Sequence, residues 1–106
     1  MDMPDVVRAY FDADRRSDVN ALTEVFVADS VVQDEGARYE GIGAIRSWWV
    51  EAKEKYHHVA EPFEATDTGD KVAVRAKVSG EFPNSPATLN FSFTVADDKI
   101  VALEIK

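Results

Sequence analysis

His57 and His58 are the only imidazoles in a chain of 106 residues, and they are adjacent. At the start of a strand, neighbouring side chains point to opposite faces, so the pair cannot chelate one metal together. One of them is free to line a cavity. The absence of cysteine removes disulfides, thiolate metal sites and cysteine nucleophiles. A glycine-rich phosphate loop, a nucleophile elbow and an HExxH pair are also missing. Asp34, followed by Glu35 and Gly36, reads by itself as an ordinary solvated turn. Trp48, Trp49, Phe63, Phe82, Phe91 and Phe93 read by type as core.

Composition narrows the partners. Twenty acids against twelve Lys and Arg leave a formal charge of −8, and the isoelectric point lies near 4.6. That field repels phosphate backbones and anionic lipid, so neither nucleic acid nor a membrane surface is expected as a partner. No apolar run is long enough to span a bilayer. The start, Met1-Asp2-Met3-Pro4-Asp5, carries acid where a signal peptide needs base, so a cytoplasmic location is expected. At this length one domain over residues 1–106 is expected, with a core that needs no staples.

The elements that must position any site follow from periodicity. Pro4 suits a first helical position, and Val7, Tyr10 and Phe11 recur at helical spacing, giving a helix to about Arg16. Asp18 is a good cap for a short second helix carrying Ala21, Leu22, Val25 and Phe26. Ser30–Gln33 reads as a strand, with a short returning strand at Arg38–Glu40. A third helix follows Gly41-Ile42-Gly43, with Ile45, Trp48, Trp49, Ala52 and Tyr56 on its apolar face. Arg46, Glu51, Lys53 and Glu54 fall on its wet side. Beyond His57 the period drops to two. Val72, Val74, Ala76 and Val78 alternate with polar neighbours, as do Leu89, Phe91, Phe93 and Val95, and Ile100–Ile105 closes the chain. Three helices and then antiparallel strands mean α+β, with the helices packed on one face of a curved, mainly antiparallel sheet.

That order resembles the NTF2-like superfamily, whose cone-shaped α+β domains include SnoaL-like proteins and ketosteroid isomerases. Three runs carry the resemblance: D-V-N-A-L-T-E-V-F-V-A-D-S-V-V from Asp18, Y-E-G-I-G-A-I-R from Tyr39, and L-N-F-S-F-T-V-A-D-D-K-I-V-A-L-E-I from Leu89. Within the superfamily, the polar pattern is most similar to that of ketosteroid isomerases. The resemblance implies Asp34 as general base, in a V-x-D context, and Tyr10 on the first helix as a hydroxyl donor. Asn90 falls where the isomerases keep a protonated Asp. It would donate an amide N–H to an enolate oxygen, and losing one such donor costs on the order of 3 kcal/mol.

Plainer readings stand beside these. Tyr10 lies on the apolar stripe of its helix and packs in a core equally well. Alternation groups Asn90 with Ser92 and Thr94, the solvent side, unless a bulge turns it inward. In a cone the core is also the pocket wall, so Trp48, Phe63 and Phe91 are expected to touch a small apolar ligand, with Tyr39 at the mouth. The resemblance implies a double-bond shift next to a ketone without metal or organic cofactor. A non-catalytic binding or dimerising module, or a SnoaL-type cyclase or dehydratase, is the alternative. A homodimer through the sheet is expected, because Leu89, Phe91, Phe93 and Val95 make one apolar face and the last strand is apolar on both.

Overall fold

The computed structural model describes residues 2–106; Met1 lies outside it. The elements run α1 (Asp5–Arg16), α2 (Val19–Glu24), β1 (Phe26–Asp34), β2 (Ala37–Glu40), α3 (Ile42–Tyr56), β3 (Val59–Asp67), β4 (Lys71–Ser79), β5 (Ala87–Ala96) and β6 (Lys99–Ile105). The strands form one six-stranded sheet in the order β2-β1-β6-β5-β4-β3. Only β1 and β6 pair in parallel; the other four pairings are antiparallel. Three helices packed against a curved, unclosed sheet make this the expected α+β cone.

Local chemistry sets the helix ends. The Pro4 carbonyl accepts from the Val7 and Arg8 N–H groups, and Ser17 in the left-handed region closes α1. Asp18 caps α2 by accepting from the Ala21 N–H at 3.0 Å, a bond worth about 1 kcal/mol. α3 starts at Gly41, whose φ of 88° suits a residue without Cβ. His57, in the left-handed region at φ 48°, caps its other end.

Alternation holds on β4, where Val72, Val74, Ala76 and Val78 are all buried. On β5, Phe91 and Phe93 are buried and stack at 14° between ring planes. They meet α1 through Tyr10 and Phe11, so the apolar face of β5 is covered by a helix of the same chain. Burying such rings is the main source of cohesion here.

Register shifts at β1 and β6 move residues from where alternation puts them. β1 is longer than Ser30–Gln33 because it begins before a register shift, between Phe26 and Val31. Ser30 fills that shift. Its buried hydroxyl accepts from the Val27 N–H at 2.9 Å and donates to the Ile100 carbonyl at 2.8 Å. A second shift between Thr94 and Val95 lets Ile100 join Leu103 and Ile105 in the core. This explains why β6 looked apolar on both sides. Among the described residues no helix is long and apolar enough to cross a membrane.

Candidate functional site

A cavity of about 520 Å³ opens between α1, α3 and the inner face of the sheet. Tyr10 and Asp14 reach it from α1, Asp34 from the end of β1, Trp48, Glu51 and Tyr56 from α3, and His58 from just before β3. Leu89, Phe91 and Ile105 give it an apolar floor, and Tyr39, Phe82 and Pro83 also border it.

Asp34 is half-buried there, and its Oδ2 accepts from the Trp48 indole N–H at 3.0 Å. Burial raises its pKa above the ordinary 3.8; the Trp48 bond opposes that rise and the neighbouring Glu35 charge adds to it. The turn at Glu35-Gly36 is real, but the aspartate before it faces the cavity. Tyr10 is 3% exposed, its ring packed among Phe11, Phe26, Phe91 and Phe93. Among the described residues its hydroxyl bonds to no protein group, yet no fully buried side-chain polar atom lacks a partner. The hydroxyl must therefore open on the cavity that the residue lines. Burial holds the phenol well above its ordinary pKa, and the Asp14 and Asp34 charges push the same way. It remains a donor across the physiological range.

Asp14 was not singled out from sequence, and it is the best-bonded carboxylate in the cavity wall. Oδ1 accepts from Trp49 Nε1 at 3.0 Å and pairs with His58 Nε2 at 3.0 Å; Oδ2 accepts from the Ala60 N–H at 3.0 Å. Lys53 Nζ lies 3.3 Å from Oδ1 and also donates to the Asp14 and His58 carbonyls. Burial works to raise its pKa. The His58 bond and charge, with Lys53 and the Ala60 N–H, outweigh burial and hold it below 3.8. The signal was present in the sequence. Asp14 continues the Val7, Tyr10, Phe11 stripe at i+7, i+4 and i+3, and a carboxylate on an apolar stripe needs buried partners.

Several expected placements are corrected. Asn90 is exposed on the outer face, paired across from Arg75 on β4, and does not meet Tyr10 and Asp34. The bulge that would turn it inward lies further on, past Thr94, so alternation holds at Asn90. Phe63 is 50% exposed and lies outside the cavity, its ring 5.3 Å from the Arg75 guanidinium carbon. The register shifts between Pro62 and Glu64, which leaves Phe63 as the extra residue, without a partner on β4. Lys53 is turned inward, and Glu51 borders the cavity, so the wet side of α3 is narrower than its sequence implies. Trp48, Phe91 and Tyr39 line the cavity as expected, with the Tyr39 and Trp48 rings 6.0 Å apart. The two histidines do part: His57, exposed, pairs with Glu81 at 2.8 Å, while His58 turns in. Their separation comes from the left-handed end of α3 rather than from strand alternation. Among the described residues no group of three or more His, Asp or Glu is arranged to hold a metal.

Residues 7–103 match the family model described as SnoaL-like domain. A Sinorhizobium meliloti protein, provisionally named a polyketide cyclase, has a crystal structure with a TM-score of 0.97 and 57% identity, over 100% of this chain and 97% of that one. A Catenulispora acidiphila protein with a ketosteroid isomerase-like fold, crystallised with trimethylamine, gives 0.87 at 21% identity, over 99% and 86%. A provisionally named ketosteroid isomerase from Kribbella flavida gives 0.84 at 12%, over 96% and 74%. The last two likenesses speak for the fold alone. No curated protein matches the sequence. With its helices, sheet order and family match in agreement, the chain belongs to the SnoaL-like domain family of NTF2-like proteins.

Proposed function

We propose that the cavity binds a small, largely apolar carbonyl compound and that Asp34 removes a proton from the carbon beside the carbonyl. The observation that carries this reading is one arrangement. A half-buried carboxylate, bonded by a single indole N–H, shares a cavity with a phenol hydroxyl that no protein group claims. Proton loss next to a carbonyl moves charge onto oxygen, so it needs a base at carbon and a donor at oxygen. Asp34 supplies the first and Tyr10 the second. With Asn90 on the far face, Tyr10 is the one expected donor left. A half-dry site suits Asp34, because lost hydration raises the proton affinity of a carboxylate. Trp48 and Phe91 give the ligand apolar contact, and Tyr39 stands where it enters.

The first step is common to a double-bond shift and to a ring closure through an enolate. It therefore fits both an isomerase and the cyclase name that the Sinorhizobium protein carries. The test is to incubate the protein with cyclohex-3-enone in D2O, following loss of the protons beside the carbonyl by NMR and the conjugated enone by absorbance. Both should outrun the buffer reaction. If neither does while the ketone still binds, the cavity is that of a binding module.

We also propose a homodimer through the outer face of the sheet. The apolar face of β5 is already covered, so the support comes from elsewhere. Val31, Ala73, Ser92, Thr94 and Ala102 leave a shallow hollow of about 340 Å³ on the outer side, where small residues allow close approach. Light scattering at micromolar concentration should give twice the chain mass of 11.8 kDa; the monomer mass would refute it.

A further inference from the structure

We propose that His58, oriented by Asp14, is a second proton-transfer group in this cavity, returning a proton to a carbon that Asp34 does not serve. The proposal rests on the enolising reading above. His58 Nε2 is tied to Asp14 Oδ1 at 3.0 Å, and Asp14 is itself fixed by the Trp49 and Ala60 N–H groups. Nδ1 has no protein partner among the described residues, and no fully buried side-chain polar atom lacks one. Nδ1 therefore reaches open space, on a ring that lines the cavity.

Asp34 and His58 come from opposite sides of the sheet. Four strand spacings separate β1 from β3, about 19 Å on a flat sheet, and curvature brings both side chains to one cavity. Trp48 tethers Asp34, and Trp49, the next residue of α3, tethers Asp14 and through it His58. Tyr10 stands one helical turn before Asp14 on α1, so the oxygen donor and the second group share one helix face. A histidine needed only to neutralise Asp14 could have both nitrogens enclosed. This one leaves Nδ1 unpartnered among the described residues and not fully buried, on a ring that borders the cavity.

The proton balance for cyclohex-3-enone is simple. Asp34 carboxylate takes a proton from C2, and the C–H electron pair moves into the dienolate, whose oxygen Tyr10 holds. The imidazolium of His58, bonded to Asp14 through Nε2–H, then gives its Nδ1 proton to C4. The C=O re-forms, the double bond lies between C2 and C3, and the product is cyclohex-2-enone. Solvent takes the proton from Asp34 and restores the one on His58.

In D2O the product should carry solvent deuterium at C4, because the proton returned is not the one removed. His58→Gln should slow enone formation 100-fold or more, while the recovered ketone still gains deuterium at C2 at the wild-type rate. Asp14→Asn should show the same split, since Asp14 is a positioning residue whose loss leaves the base step alone. Wild-type product whose added C4 hydrogen is protium carried over from C2, with no solvent deuterium there, overturns the proposal without any variant. So does His58→Gln enone formation at the wild-type rate, or a parallel loss of exchange and isomerisation. Absence of both exchange and enone formation in the wild type would instead defeat the enolising reading itself.

Discussion

Asp34→Asn should lower the rate of proton loss from C2 of cyclohex-3-enone by two to four orders of magnitude. That corresponds to roughly 3–5 kcal/mol of barrier. The amide has the shape of the carboxylate and still offers an oxygen to Trp48 Nε1, so the cavity keeps its geometry and loses only its base. Folding should not suffer. Burial raises the Asp34 pKa in the folded protein, so the ionised form is disfavoured there. As pH climbs past 3.8 the unfolded chain ionises first, and native stability falls until the folded carboxylate ionises as well. A neutral amide at this position carries no such penalty, so at neutral pH the variant should melt no lower than wild type. The same shift sets the sign of the activity profile: kcat/KM should rise with pH through a value above 3.8 as the base form fills. Wild-type and variant rates that coincide would refute the role of Asp34, whatever the fold.

Asp14→Ala should be the most damaging single change, costing about 3–5 kcal/mol. It leaves the Trp49 and Ala60 N–H groups without their acceptor and strips Lys53, whose side chain is 13% exposed, of its counter-charge. At roughly 4 °C per kcal/mol for a chain of this size, Tm should fall by 12 °C or more. Removing an exposed pair such as Arg38–Glu40 should cost under about 1 kcal/mol. Acid should find the same weak point. The Asp14 pKa is held below 3.8 in the folded state, so its contribution is complete above that value and is lost as pH falls through the folded pKa. Asp14→Asn should flatten the stability curve below pH 4. A calorimetric Tm for Asp14→Ala within 2 °C of wild type would contradict this account of the network.

How much of this was legible depended on whether a residue's surroundings are local. The α1 stripe, the Asp18 cap and the β4 alternation involve neighbours a few positions apart, and each stands where periodicity put it. Tyr10 and Asp34 were reached by resemblance, and each proved to border the cavity. Asn90 set two arguments against each other. Counting along the resemblance placed it inside and strict alternation placed it outside; with no bulge beside it, alternation prevailed. Phe63 failed the other way, because the shift that expels it is a property of the β3–β4 pairing and leaves no mark in either strand alone. Asp14 and His58 were hidden for a third reason. They stand 44 positions apart, and the bond that gives both their meaning exists only after the sheet has curved.

The two adjacent indoles of α3 have a mechanical consequence. Successive residues on a helix diverge by about 100°, so Trp48 and Trp49 reach in different directions and grip carboxylates carried by β1 and α1. The helix is pinned at its middle, on two different sides. Rolling it would strain both grips together, which braces the chamber's width, whereas among the described residues no such bond holds Tyr39, Phe82 and Pro83, which also border it. Guests of differing length should be accommodated by rearranging those three side chains, and guests of differing girth should be turned away.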